Sequence, residues 1–201
     1  MISTDRSLPL VVGISGSSGA QLGRRAVEIL AELGFRIYLS YTDACAQVWP
    51  EEIGIPFEQD RARWENELGV KTFAPTDFRA PISSGSFPTR GMIVIPCSMR
   101  TLSSISHAGS TNLLERAADV TLKEGRRLVL VPRETPLSAL HLENMLTLAR
   151  LGVRIVPPIP QYYLRFDSLD DVIDTLVRRI LTTLDIPEAL PPSRRWHGDE
   201  I

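Results

Sequence analysis

The chain alternates between short unbroken apolar runs and longer stretches in which apolar residues return every three or four positions. Leu8 to Ser15 is a run of the first kind, ending in Gly16-Ser17-Ser18-Gly19. Leu22, Ala26, Ile29, Leu30 and Leu33 then recur at helical spacing until Gly34, which predicts a strand, a tight glycine turn and an amphipathic helix. Arg36 to Tyr41 predicts a second strand, and Thr42-Asp43 can cap a helix through Cys45 and Val48. Between Pro50 and Phe87 prolines and charges break the pattern. Trp64 and Leu68 fit a short helix there, Val70 to Phe73 fits an edge strand, and the Ser- and Gly-rich stretch Ala80 to Phe87 reads as a loop.

Two later runs, Gly91 to Pro96 and Arg127 to Pro132, are both stopped by proline and followed at once by hydroxyl and charged side chains. Helical spacing returns over Leu113 to Leu122 and over Ser138 to Leu151, which closes at Gly152. Val153 to Val156 predicts a further strand before Pro157-Pro158-Ile159-Pro160. Ser168 to Asp171 resembles a capping box, and Leu169, Val172, Ile173, Leu176, Val177, Ile180 and Leu184 trace one helix face. Alternating strands and helices imply an α/β fold: a single domain over residues 1–201 with a three-layer, doubly wound, mostly parallel sheet. Ligands in such sheets bind beyond the carboxyl ends of the strands, so the two proline-stopped runs mark the expected active edge. Residues from about 187 to 201 read as an extended, mobile tail. Trp196 suggests that the tail docks, on its own chain or on a neighbouring subunit.

Composition narrows the partners. Among 201 residues, 43% hydrophobic, 22 basic and 24 acidic side chains leave a net charge of −2 with no long block of either sign. Nucleic acid and membrane surfaces are therefore not expected partners. No apolar run approaches the roughly 20 residues of a membrane helix. With only Cys45 and Cys97 and no basic-then-apolar leader, a reduced, cytoplasmic setting is expected. His107, His141, His197 and the two cysteines show no metal-ligand spacing, so no metal is expected.

The turn Gly13-Ile-Ser-Gly16-Ser-Ser-Gly19 presents backbone N–H groups and hydroxyls where a helix N-terminus attracts phosphate. Its G-x-x-G-x-x-G spacing departs from the dinucleotide fingerprint and fits a mononucleotide or an unliganded tight turn. Ser98 and Thr101 can hydrogen-bond a heterocycle or sugar chain, and Ser98 can instead cap a helix. Cys97 reads as apolar filler. Arg133-Glu134, held between Pro132 and Pro136, is either a functional pair or a structural ion pair. His141, among Leu140, Leu142 and Met145, reads as packed. On the last helix Arg179 borders the apolar stripe while Arg178 lies opposite, so Arg179 is the one placed to reach inward, unless it merely snorkels.

Taken together, Gly13 to Ala20, Ser84 to Phe87, Gly91 to Leu102, Asn112 to Val120, Leu122 to Glu124, Leu128 to Leu137 and His141 to Met145 closely resemble the UbiX/Pad1 flavin prenyltransferases. The resemblance covers nearly the whole chain outside about residues 50 to 75. It implies a flavodoxin-like or Rossmann-like subunit that joins a dimethylallyl group from dimethylallyl phosphate to N5 and C6 of reduced FMN. The product, prenylated FMN, serves UbiD-type decarboxylases in ubiquinone synthesis or aromatic-acid breakdown. The family works without a metal and assembles as a homododecamer with sites at subunit junctions.

Carried over by position, the resemblance implies FMN contacts from Gly16, Ser17, Ser18, Thr42, Ser98, Met99, Arg100, Thr101 and Arg133. Thr42 replaces the family's usual serine and Arg100 its usual lysine, each keeping the needed chemistry. Lys123, Glu134, Tyr163 and Arg179 fall on positions that hold dimethylallyl phosphate. Glu134, Ser18 and Trp196 are the catalytic positions, with Glu134 as the acid that protonates departing phosphate and Trp196 as a wall for the allylic cation. The alternatives are an FMN-dependent cysteine decarboxylase-like flavoprotein, which usually carries a histidine by the first helix that this chain lacks, and a non-enzymatic flavin carrier.

Overall fold

Apolar runs without polar alternation become strands buried on both faces. In the computed structural model, which describes residues 7–195, every residue of β1 (Leu10–Ile14), β4 (Gly91–Cys97) and β5 (Leu128–Pro132) is buried. With β2 (Ile37–Tyr41), β3 (Lys71–Phe73) and β6 (Arg154–Ile155) they form one sheet in the order β3-β2-β1-β4-β5-β6. All five pairings are parallel. The chain winds outward from β1 to β3, crosses back to β4 and winds out to β6. The strand order therefore reverses between β1 and β4, the place where such sheets open a ligand crevice.

Helices cover both faces. On one side α1 (Ala20–Glu32), α2 (Asp43–Ile53), α3 (Phe57–Glu67) and α7 (Leu169–Leu181) close a core with Val12, Ile14, Leu39 and Ile93. On the other, α4 (Met99–Ser106), α5 (Leu113–Lys123) and Leu148 of α6 (Ala139–Arg150) pack on Val11, Met92, Val94 and Leu130. Among the described residues no helix is long and apolar enough to cross a membrane.

Four features depart from the expectations. First, α2 continues through Pro50 to Ile53, and α3 is a full helix whose buried residues are Phe57, Asp60 and Trp64. This i, i+3, i+7 stripe is narrow, and charged neighbours hide it in the sequence. Trp49, Phe57 and Trp64 pack edge to face with centroids 5.1, 5.8 and 6.1 Å apart. Trp49 Nε1 donates to the buried Asp60 at 3.2 Å.

Second, the stretch after Ile186 is not an extended tail as far as residue 195. Ile186, Ala189 and Leu190 are buried against the α7 side of the core, with 3-10 turns over Pro187–Ala189 and Pro192–Arg194. Trp196 lies outside the described residues.

Third, the two arginines of α7 exchange roles. Arg178 turns inward to Asp174 (2.7 Å) and the Ala189 carbonyl (3.2 Å), because the folded-back terminus covers its side of the helix. Arg179 is exposed and donates to Thr182 Oγ1 at 2.7 Å.

Fourth, α6 buries only Leu148, while Leu140, Leu142 and Leu146 are exposed, as are the flanking Leu137 and Leu151. His141 is not packed among them. Its Nδ1 accepts from Ser138 N–H at 3.3 Å while the Ser138 hydroxyl accepts from His141 N–H, closing a capping box.

Candidate active site

The loops leaving β1, β4 and β5 are tied to one another. Ser15 Oγ donates to the Pro96 carbonyl (3.0 Å) and accepts from Ser98 N–H (2.7 Å), joining the first two. Ser17 Oγ donates to the Arg133 carbonyl (3.2 Å), and Arg133 Nε donates to the Ser18 carbonyl (3.0 Å), joining the first to the third. Arg133 N–H donates to the Cys97 carbonyl at 3.3 Å and completes the triangle. Three segments far apart in sequence are thereby held as one rigid rim at the switch point, with Ser17, Ser18, Ser98 and Arg133 on it.

Helix caps place the remaining donors. Thr42 Oγ1 caps α2, accepting from Cys45 N–H (3.3 Å), and also accepts from Gly16 N–H (3.0 Å). Ser98 Oγ caps α4 by accepting from Thr101 N–H (3.2 Å) and donates to Thr101 Oγ1 (3.0 Å). The cap leaves the Ser98 hydroxyl at the mouth of a helix N-terminus, where it also lines the cleft. Gly16, Thr42, Ser98, Arg100 and Thr101 together line a cleft of about 430 Å³, within the usual range for a small-molecule site. Asp43, in the first turn of α2, and Glu115, engaged by Thr111, also face the cleft; its donors and the acid-free N-terminus of α4 fit an anionic group on a hydroxylated chain. That is the chemistry of the FMN ribityl phosphate.

Met99 is buried in the core under α4, so its side chain is turned from the cleft. Cys97 is fully buried, and burial pushes its thiol far above the usual range, which removes it as a nucleophile. Among the described residues no group of three or more His, Cys, Asp or Glu side chains could hold a metal ion.

Arg133 and Glu134 do not pair. Arg133 is engaged with Ser18, whereas the exposed Glu134 accepts only from the next residue, Thr135 N–H, at 3.0 Å. The structural-ion-pair alternative fails. Glu134 projects from the rim with its carboxylate available.

The four positions assigned to the allylic phosphate are not gathered within one chain. Lys123 ends α5 just before β5 begins, and its ammonium lies beside Glu124 and the Gly85 backbone. Glu134 lies just beyond the other end of β5, whose five residues span about 17 Å. Arg179 is likewise at the far edge. Its partner Thr182 precedes Thr183, whose carbonyl accepts from Arg154 where β6 starts. Tyr163 sits on an exposed turn before α7.

One residue was missed. Glu52, at the end of α2, accepts from Gly19 N–H (2.8 Å) and Ala20 N–H (2.8 Å) at the N-terminus of α1. The N-terminus expected to draw phosphate is thus already occupied by a carboxylate of the chain. Its signal in the sequence is weak, because Pro50 interrupts the helical pattern two residues before Glu52.

The flavoprotein family model matches residues 2–181. The chain is 49% identical over 195 residues to the flavin prenyltransferase UbiX of Halalkalibacterium halodurans, covering 94% of this chain and 93% of that one. It is 42% identical over 200 residues to the flavin prenyltransferase UbiX of Synechocystis, covering 94% and 96%. Among solved structures it resembles AnUbiX (PadA1) in complex with FMN and dimethylallyl pyrophosphate, with TM-score 0.88, 40% identity and 96% and 99% coverage. It also resembles a dodecameric FMN-dependent UbiX-like decarboxylase from Escherichia coli, with TM-score 0.87, 42% identity and 95% and 100% coverage.

Proposed function

The chain belongs to the UbiX flavin prenyltransferase family, and from that membership we propose that it joins the dimethylallyl group of dimethylallyl phosphate to N5 and C6 of reduced FMN. The observation that carries the reading is the lacing of the β1, β4 and β5 loops into one rim, with a cleft lined by Gly16, Thr42, Ser98 and Thr101 beside it. Gly16, Thr42, Ser98, Arg100 and Thr101 would hold the phosphate and ribityl chain, and Ser17, Ser18 and Arg133 the ring. Glu134, exposed on the same rim, is the proton donor to departing phosphate and then the acceptor for a flavin proton.

The phosphate group of the donor needs cations that strengthen their contacts as charge develops on it. Lys123 and Arg179 supply them from the far edge of another copy of the chain, with Tyr163 adding a hydroxyl. Leucines left exposed on and beside α6 support self-association, because burying them against a partner removes apolar surface from water. The dodecameric relative supports a homo-oligomer of that order. We place the protein in the cytoplasm, handing prenylated FMN to a UbiD-type decarboxylase. Trp196 is assigned to the wall of the allyl site.

Anaerobic incubation with reduced FMN and dimethylallyl phosphate should raise the flavin mass by one prenyl unit, and Glu134→Gln should slow this at least about a hundredfold. An intact, FMN-loaded protein that leaves the flavin unmodified would sink the proposal.

A further inference from the structure

Four arginines gather at the edge of the sheet opposite the candidate active site. Arg90 immediately precedes β4, Arg127 precedes β5, Arg154 opens β6, and Arg126 stands beside them. Parallel pairing of β4 with β5 and of β5 with β6 sets these strand starts side by side. The four side chains line a cavity of about 540 Å³.

Their charge is poorly matched by the described residues. Arg90 is only 8% exposed; its guanidinium stacks 5.0 Å from the Phe35 ring centre and gives one hydrogen bond, to the Asp185 carbonyl. Its Nε–H has no partner. Arg126 donates to the carbonyls of Phe87 and Gly85 and to the Thr89 hydroxyl, and Arg154 to the Thr183 carbonyl, all of them neutral. Arg127 lies 3.0 Å from Asp185 Oδ2, yet that oxygen accepts no aligned hydrogen bond. The one acid in the wall, Glu124, is paired with Lys123. A buried guanidinium without a carboxylate calls for negative charge from elsewhere.

We infer that this cavity binds a small multivalent phosphate-type oxyanion of about the size of pyrophosphate. Guanidinium groups present paired N–H donors that match phosphate oxygens. The rest of the wall is aliphatic, with Leu122, Leu128, Leu151 and Val153, and offers no ring on which a nucleotide base could stack. The cavity shares this edge with Lys123 and Arg179 but is lined by neither, so the inference does not rest on the proposed prenyl transfer.

Calorimetric titration of the full chain with metal-free sodium pyrophosphate tests the inference. It is run in an Arg133→Gln, Arg179→Gln background, which removes a cation from the opposite edge and one of the two assigned to the donor phosphate. Binding should persist there, weaken with added salt, and fall about tenfold or more with Arg154→Gln. Arg90→Gln should do the same, but because Arg90 is buried, the exposed Arg154 carries the test if that variant fails to fold. Binding abolished by the background substitutions alone, or indifferent to Arg154→Gln, would overturn the site. So would an Arg154→Gln change in oligomer size with unchanged pyrophosphate affinity, which would assign the arginines to a contact between copies.

Discussion

A methyl group at Gly16 would stand 2.4 Å from the Ala44 Cβ and 2.6 Å from its carbonyl carbon, so the β1 loop and the start of α2 touch backbone to backbone. Gly16→Ala should lower stability by about 1–3 kcal/mol and weaken FMN binding by displacing the Thr42 cap. Urea melts and flavin-fluorescence titration would check both, and wild-type affinity would contradict the close approach. Asp174 offers a second test. Burial alone would raise its carboxyl, but hydrogen bonds from Arg178 and Arg25 outweigh that and hold it below the usual range. Its stabilisation is present above the ordinary aspartate value of about 3.9 and is lost as pH falls through the lower folded value. Asp174→Asn should flatten that part of the stability–pH curve, measured by urea midpoints across the acid range. Thr42 and Ser98 were legible because capping chemistry is local. Glu52 and the inward turn of Arg178 were not, since each depends on a partner folded back from a distant part of the chain.

With Ser98 in the proposed FMN site, the cap of α4 would couple folding to binding. Ser98→Ala removes the acceptor for Thr101 N–H and should cost about 1 kcal/mol, together with FMN affinity; Ser98→Thr should restore most of the stability. Thermal melts with and without FMN distinguish the two losses. Strands β1, β4 and β5 could be read from apolar runs, and α1, α5 and α7 from their spacing, because each element carries its own period. Helix α3 could not, as its stripe includes a buried acid, Asp60, made tolerable by Trp49 and by Arg24 at 3.1 Å. Helix α6 was placed correctly, yet its outward leucines give no periodic clue to which side meets the sheet. Leu140→Glu with Leu146→Glu should leave the fold intact, as both are exposed, and shift sedimentation toward smaller species.

The separation of Lys123 and Arg179 from Glu134 makes the proposed site a property of the assembly. Lys123→Ala and Glu134→Gln chains, each inactive alone, should regain activity when co-assembled, up to about one quarter of the wild-type level if mixing is random. Hybrids that stay inactive would place all the groups on one chain after all. The predicted strand from Arg127 to Pro132 already separates Lys123 from Glu134, but Arg179 is far from both in sequence, and only the fold brings it to the Lys123 end of the sheet.

The sheet itself ends in very short strands, three residues in β3 and two in β6, with Lys71 and Arg154 at those margins. Such stubs expose too little backbone to template a further strand. Growth by edge-to-edge stacking, the route to fibrils and insoluble deposits, is thereby closed. Association is left to side-chain surfaces.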